Sequence, residues 1–211
     1  MENSPKHIFE ILSKMYPNAK CELNYSNMYE LAVAVMLSAQ TTDNNVNKVT
    51  PLLFEKYPSI EHLALAKKED VMSIIKSIGL YKNKTNNIIA MAQKLVDDHY
   101  DTIPNDYNYL LTLPGIGRKT ANVILSEGYK VPRIAVDTHV FRVANRLGLS
   151  NSKDVLKVEN DLMNLYPEAL WSDVHLKLLF FGRYFCKAIK PECELCPFKN
   201  ICKKWQKPLI L

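Results

Sequence analysis

Between Met28 and Ala39 the chain reads Met-Tyr-Glu-Leu-Ala-Val-Ala-Val-Met-Leu-Ser-Ala, apolar on nearly every side of a helical wheel. A helix of this kind is stable only when it is buried all round. Its longest apolar run, Leu31 to Leu37, is too short to span a bilayer. Other helices must therefore cover it, and the pattern for them is present. Asn27, with Glu30 three residues later, predicts the start of the central helix. Ile88, Ile89, Ala92, Leu95 and Val96 share one face of a second helix, entered after a turn at Gly79. Val155, Val158, Leu162 and Leu165 repeat the spacing before Pro167. Asp137 is placed to cap a helix that runs through Arg146 and stops at Gly148. Six glycines in 211 residues, with no β-branched alternation, leave little for strands and hairpins. The expected fold is all-α, with about nine to eleven helices.

A chain of this length buries about 70% of its unfolded surface, so it needs no disulfide scaffold. Apolar residues at 47% and charged residues at 23% exclude a disordered or collagen-like chain. The start, Met-Glu-Asn-Ser-Pro-Lys-His, has no basic region leading into an apolar core, so a cytoplasmic protein is expected, nucleoid-associated if bacterial. In a reducing compartment, Cys186, Cys193, Cys196 and Cys202, spaced C-x6-C-x2-C-x5-C, point to a metal centre rather than to disulfides. Spacing alone leaves zinc and an iron-sulfur cubane both open. Cys21 stands apart.

The formal charge of +5 is unevenly spread. Leu113 to Arg146 holds six basic residues against Glu127 and Asp137, and Cys186 to Leu211 holds six lysines against Glu192 and Glu194. Two basic zones on an otherwise slightly acidic chain suggest a polyanion footprint. The first zone contains a turn, Leu113-Pro114-Gly115-Ile116-Gly117, set between a short helix from Tyr107 to Thr112 and a longer one from Arg118 to Gly128. Gly115 and Gly117 allow the backbone to come close to another group, and Ile116 is expected to anchor the turn in the core. The N–H groups opening the next helix, with Arg118 beside them, form a phosphate-binding arrangement.

Leu113-Pro-Gly-Ile-Gly-Arg-Lys-Thr-Ala121 resembles the helix-hairpin-helix of the endonuclease III family of DNA glycosylases. Ile134-Ala-Val-Asp-Thr-His-Val-Phe-Arg-Val143 is similar to the family segment that carries the catalytic aspartate. The likeness continues through Leu37-Ser-Ala-Gln-Thr-Thr-Asp43, Ile78-Gly-Leu-Tyr81, Gly182-Arg-Tyr184 and the cysteine cluster, covering roughly Leu23 to Lys203. It implies two helical lobes: residues 22–130, a helical barrel ending in the helix-hairpin-helix, and residues 1–21 with 131–211, which carry the cluster loop at 186–202.

The resemblance further implies a bifunctional glycosylase and AP lyase of base excision repair, acting on oxidised or ring-saturated pyrimidines in duplex DNA. Lys119, expected to be partly buried, is then the amine that forms a Schiff base at C1′, and Asp137 assists base departure. Cys186, Cys193, Cys196 and Cys202 then hold a [4Fe-4S] cluster. Gln40 and Leu80 match positions that enter the duplex once the damaged nucleotide is rotated out. Gly115, Ile116, Gly117 and Arg118, with Lys187 and Lys190 of the cluster loop, contact the phosphates. Ile189 and Glu192 dilute that loop's charge. The partner is damaged or abasic double-stranded DNA, with no membrane, and the enzyme is expected to be a monomer.

An adenine-type glycosylase that releases a base without cutting DNA is the rival within the superfamily, but Ala34 stands where that family has a glutamate, and Lys119 where it has serine or tyrosine. A non-enzymatic helix-hairpin-helix DNA-binding protein is the alternative from another class.

Overall fold

The computed structural model describes residues 4–205. Among them are eleven α-helices and no β-strand, the all-α class expected from the helical spacing. In chain order they are α1 (Pro5–Met15), α2 (Met28–Leu37), α3 (Asp43–Lys56), α4 (Ile60–Ala64), α5 (Lys68–Ile74), α6 (Tyr81–Asp97), α7 (Tyr107–Leu110), α8 (Arg118–Tyr129), α9 (Thr138–Leu147), α10 (Val155–Leu165) and α11 (Trp171–Phe180). The chain forms two compact units, one of residues Glu22–Tyr129 and one of the residues up to Cys21 together with those from Lys130 onward. No helix among the described residues is long and apolar enough to cross a membrane.

In the unit of Glu22–Tyr129, α2 is the central helix. Leu31, Ala32, Val33, Ala34 and Leu37 are wholly buried, and α3, α6 and α8 pack around them. Burying each Leu or Val side chain stabilises the fold by about 1.5–3 kcal/mol. Asn27 caps the helix, its Oδ1 accepting from Glu30 N at 2.9 Å. The return bond runs from Ser26 N to Glu30 Oε2 at 2.6 Å, one residue earlier than in a standard capping box. The helix ends at Leu37 rather than Ala39, because Ser38 to Thr41 close a turn through Thr41 N to Ser38 O. α8 crosses α2 at Gly128, where an added Cβ would collide with the Met28 side chain. On α6, Ile88, Ile89, Ala92 and Leu95 are buried as the spacing predicts, whereas Val96 is 37% exposed.

The other unit is built on α1, α9, α10 and α11. Ile8 and Leu12, Val140 and Val143, Val158 and Leu162, and Val174 and Leu178 form its core. Val155 and Leu165 lie at the ends of α10, where they are 49% and 40% exposed. Gly148 terminates α9 with φ +78°, as a C′ glycine should. α11 continues into a π-helical segment, Phe181–Phe185, which packs against α9 at Gly182. A Cβ there would stand 2.9 Å from His139 Cβ, which explains the glycine in the Gly-Arg-Tyr motif. Phe181 stacks on Phe185 with ring centres 5.3 Å apart and meets Phe198 edge-on at the same distance. The cysteine loop hangs from this aromatic group.

Candidate functional site

The turn between α7 and α8 is held from both sides. Asp106 caps α7, its Oδ1 accepting from Asn108 N and Tyr109 N. Ile116 is 5% exposed and donates its N–H to Leu113 O at 3.1 Å. It therefore anchors the turn, and its side chain and N–H are both committed inside the protein. Gly115 has φ +81°, and a Cβ on it would lie 2.7 Å from Asn87 Cβ and 2.8 Å from Met36 Cε. The backbone thus rests directly on α6 and α2, an approach only glycine permits. A Gly115→Ala substitution is expected to cost about 1–3 kcal/mol, from the left-handed backbone and the collision together, measurable by thermal melting. Gly117, by contrast, meets nothing within 4 Å.

α8 then begins with Arg118 and Lys119, both exposed. The expectation that Lys119 is partly buried does not hold, because the first turn of α8 lies at the surface and Ala121 is its first buried residue. Arg118 donates from NH1 to Tyr107 Oη at 3.1 Å and lies over that ring at 5.9 Å. Its guanidinium is thereby held over the opening of the helix, where N–H groups and the dipole favour an anion.

Gln40 and Leu80 lie in the same unit on two adjoining turns, one closing α2 and one opening α6. Both are exposed and left-handed, Gln40 with φ 53° and Leu80 with φ 59°. Each such conformation costs a non-glycine residue about 1–2 kcal/mol, and strain of this kind gathers at functional sites. A Cβ on Gly79 would stand 3.7 Å from Gln40 O, so the two turns lie side by side. Met36 and Asn87, on which Gly115 rests, belong to the same two helices. The two turns and the hairpin therefore form one structural group.

Asp137 and the cysteines belong to the other unit. Asp137 caps α9, its Oδ1 accepting from His139 N at 2.9 Å and from Val140 N at 2.8 Å. Cys186, Cys193, Cys196 and Cys202 line one pocket, with Phe181, Phe185, Pro191 and Trp205 on its wall. No three His, Cys, Asp or Glu side chains among the described residues group closely enough to hold a single metal ion. A lone tetrahedral zinc would draw its sulfurs within about 3.8 Å of one another. Four thiols spread around one apolar pocket suit a cubane, in which each binds a different iron. Arg146, Lys199 and Lys204 on the same wall offset the negative charge of four thiolates.

Arg142 and Arg146, expected within a polyanion footprint, are instead engaged inside the protein. Four residues apart on α9, they turn inward to the cluster loop. Arg142 donates to Cys186 O at 3.1 Å and Gly182 O at 2.7 Å, and Arg146 to Lys187 O at 2.9 Å and Cys186 Sγ at 3.2 Å. Their i,i+4 spacing showed a shared face but not what that face meets. Lys187 pairs with Glu192 at 3.5 Å, and Lys199 with Glu194 at 2.6 Å. Lys190 is exposed at φ 50° beside Ile189, which is 81% exposed. Lys207, part of the second basic zone, lies outside the described residues.

Residues 33–168 match the model of the HhH-GPD superfamily base excision DNA repair proteins, and residues 186–202 match the iron-sulfur binding domain of endonuclease III. The chain is 49% identical to endonuclease III of Bacillus subtilis (strain 168), over 93% of this chain and 90% of that protein. It is 41% identical to endonuclease III of Escherichia coli (strain K12), over 94% and 95%. A solved structure of a trapped endonuclease III–DNA covalent intermediate superposes with a TM-score of 0.92, at 46% identity, over 96% of this chain and 95% of that one. With the helix-hairpin-helix and the four-cysteine cavity both in place, the chain belongs to the endonuclease III family of base excision repair DNA glycosylase/AP lyases, which carry a [4Fe-4S] cluster.

Proposed function

We propose that Lys119 and Asp137 carry out the reaction, and that the substrates are oxidised or ring-saturated pyrimidines and abasic sites in duplex DNA. The observation that carries this reading is a lysine in the first, exposed turn of the helix that leaves the Gly115–Gly117 turn. There an amine stands beside a phosphate-binding helix start. Its lone pair attacks C1′ as the bond to the base breaks, and the base leaves with a proton. Asp137 stabilises the positive charge developing on the sugar and helps move that proton. The nitrogen's lone pair then opens the sugar ring, the C1′–O4′ bond breaking as O4′ takes a proton, and the resulting protonated imine acidifies the C2′ hydrogen, whose loss expels the 3′ phosphate with its electron pair before water releases the enzyme. The solved covalent intermediate of a relative supports this assignment.

Gln40 and Leu80 fill the gap left by the extruded nucleotide. Gly115, Gly117, Arg118 and, on the cluster loop, Lys187 and Lys190 hold the backbone. Because Glu192 pairs with Lys187, that loop contributes less to the salt dependence of binding than two unpaired lysines would. Cys186, Cys193, Cys196 and Cys202 are the cluster ligands. When bound, the cluster links four points of the chain into one rigid loop. Burial pushes the Cys196 thiol up to about 11, so the free loop holds that proton at neutral pH and a metal centre displaces it. The protein acts as a monomer.

A panel of duplexes, each with a single lesion, scored separately for base release and strand cleavage, tests the function. Release coupled to cleavage on thymine glycol and other saturated pyrimidines is expected. Release without cleavage would favour the adenine-type reading, and tight binding with neither would favour a non-enzymatic one. Protein purified without oxygen is expected to be brown, with about four irons per chain, and chelation of the iron to lower its melting temperature. Stoichiometric zinc in place of iron would refute the cluster assignment.

A further inference from the structure

Lys84 lies on α6, one turn beyond Leu80, and is only 6% exposed. A buried lysine needs a reason, since the ammonium loses its hydration. Here all three of its hydrogens are placed. Nζ donates to Leu37 O at 2.9 Å, to Ala39 O at 2.6 Å and to Thr41 Oγ1 at 2.9 Å. Leu37 is the last residue of α2, whose final carbonyls are shielded from water by the packing around it and favour a cation. Ala39 and Thr41 flank Gln40 on both sides. The backbone of Lys84 also donates to Leu80 O at 3.0 Å. One residue thus ties the left-handed turn at Gln40 to the left-handed turn at Leu80.

We infer that Lys84 is a positioning residue for duplex entry, holding the two strained turns in register so that Gln40 and Leu80 stand ready before DNA arrives. Two left-handed residues in adjoining turns persist only where surrounding contacts over-determine them. The Gly79 backbone lies beside Gln40 O, and the three bonds of Lys84 join the end of the α2 segment around Gln40 to the helix that Leu80 opens. Only carbonyl and hydroxyl oxygens surround Nζ in this group, so Lys84 cannot replace Lys119 as the nucleophile while these bonds stand. A helix cap alone would need Leu37 O and nothing beyond it. The further bonds to Ala39 and Thr41 are what connect the lysine to Gln40.

The inference rests on the reading that Gln40 and Leu80 enter the duplex, and the test separates the two. Abasic-site nicking is compared on a duplex and on the same strand unpaired, where no opposite base or gap exists to be filled. The duplex-to-single-strand ratio is the readout, since a general loss of folded enzyme lowers both rates together and leaves it unmoved. Gln40→Ala/Leu80→Ala is expected to lower the ratio about tenfold, and Lys84→Met to lower it similarly. Residues that act as a unit are non-additive, so adding Lys84→Met to the double variant should change the ratio by less than about twofold. Should Lys84→Met fail to melt cooperatively, Thr41→Val, which removes the bond from Lys84 and the 3.5 Å bond to Ala39 O but leaves that carbonyl its donor in Lys84, is expected to lower the ratio several-fold. If Lys84→Met leaves the ratio unmoved, or its loss multiplies that of the double variant, the inference is overturned and the reading of Gln40 and Leu80 stands. If the double variant leaves the ratio unchanged, that reading falls and takes the inference with it.

Discussion

Replacing Lys119 by Gln is expected to abolish borohydride trapping of the enzyme on DNA and to slow strand cleavage on the order of 10³-fold or more, the scale on which loss of a catalytic nucleophile acts. Glutamine keeps most of the side chain's length and its capacity to donate hydrogen bonds, but its amide nitrogen forms no imine. Because Lys119 is exposed at the start of α8, stability should change by no more than about 0.5 kcal/mol. Binding to a stable abasic analogue should persist, since the groups that hold the phosphates are unchanged. The measurement pairs single-turnover nicking with the yield of reduced adduct. An adduct of undiminished yield would assign the chemistry to another amine. Lys84 is a poor candidate for that amine, since its Nζ already donates to Leu37 O, Ala39 O and Thr41 Oγ1.

Asp137→Asn separates a cap from a catalyst. In the wild-type protein one carboxylate oxygen accepts both cap bonds, from His139 N and Val140 N. The amide oxygen of asparagine can accept the same two, and the two residues cap helices about equally well. The negative charge at the helix start, which also faces Arg142, is lost at about 0.3–1 kcal/mol, so the melting temperature should fall by about 2–4 °C. Base release should nevertheless drop about 10²- to 10⁴-fold, because an amide neither carries the negative charge nor moves a proton. Asp137→Ala is the control. It removes both cap bonds and should cost about 1 kcal/mol of stability more than Asn does. Full activity in Asp137→Asn would leave the residue as a cap and nothing else.

Much of the candidate site could be read because its signals are local. Asn27 and Asp137 cap the helices that they precede in sequence, and Gly148 ends α9 because a left-handed residue there is cheapest as glycine. The hairpin followed the same logic, with Gly115 at φ +81° and Ile116 buried between the glycines. Left-handed turns at Gln40 and Leu80 were not legible, since neither residue favours positive φ and only neighbouring contacts hold it there. Lys84 was missed for a related reason. Lysine is ordinarily a surface residue, and nothing near it in the chain marks the three acceptors that it reaches. The burial expected for Lys119 failed because helical periodicity gives the relative faces of a helix but not where its first turn emerges from the core.

The sequence by itself determined the helical class, the helix starts at Asn27 and Asp137 and the stop at Gly148, the hairpin that presents Lys119, and the grouping of four cysteines within one short loop. Each depends on residues a few positions apart, where propensity, capping and chain length act directly. Only the tertiary structure decided that Lys84 reaches back 47 positions to Leu37 O, and that Arg142 and Arg146 clamp Cys186 O and Lys187 O rather than face outward. Those bonds form because the packing of apolar faces carries polar groups into places without water, where donors and acceptors must find partners within the protein.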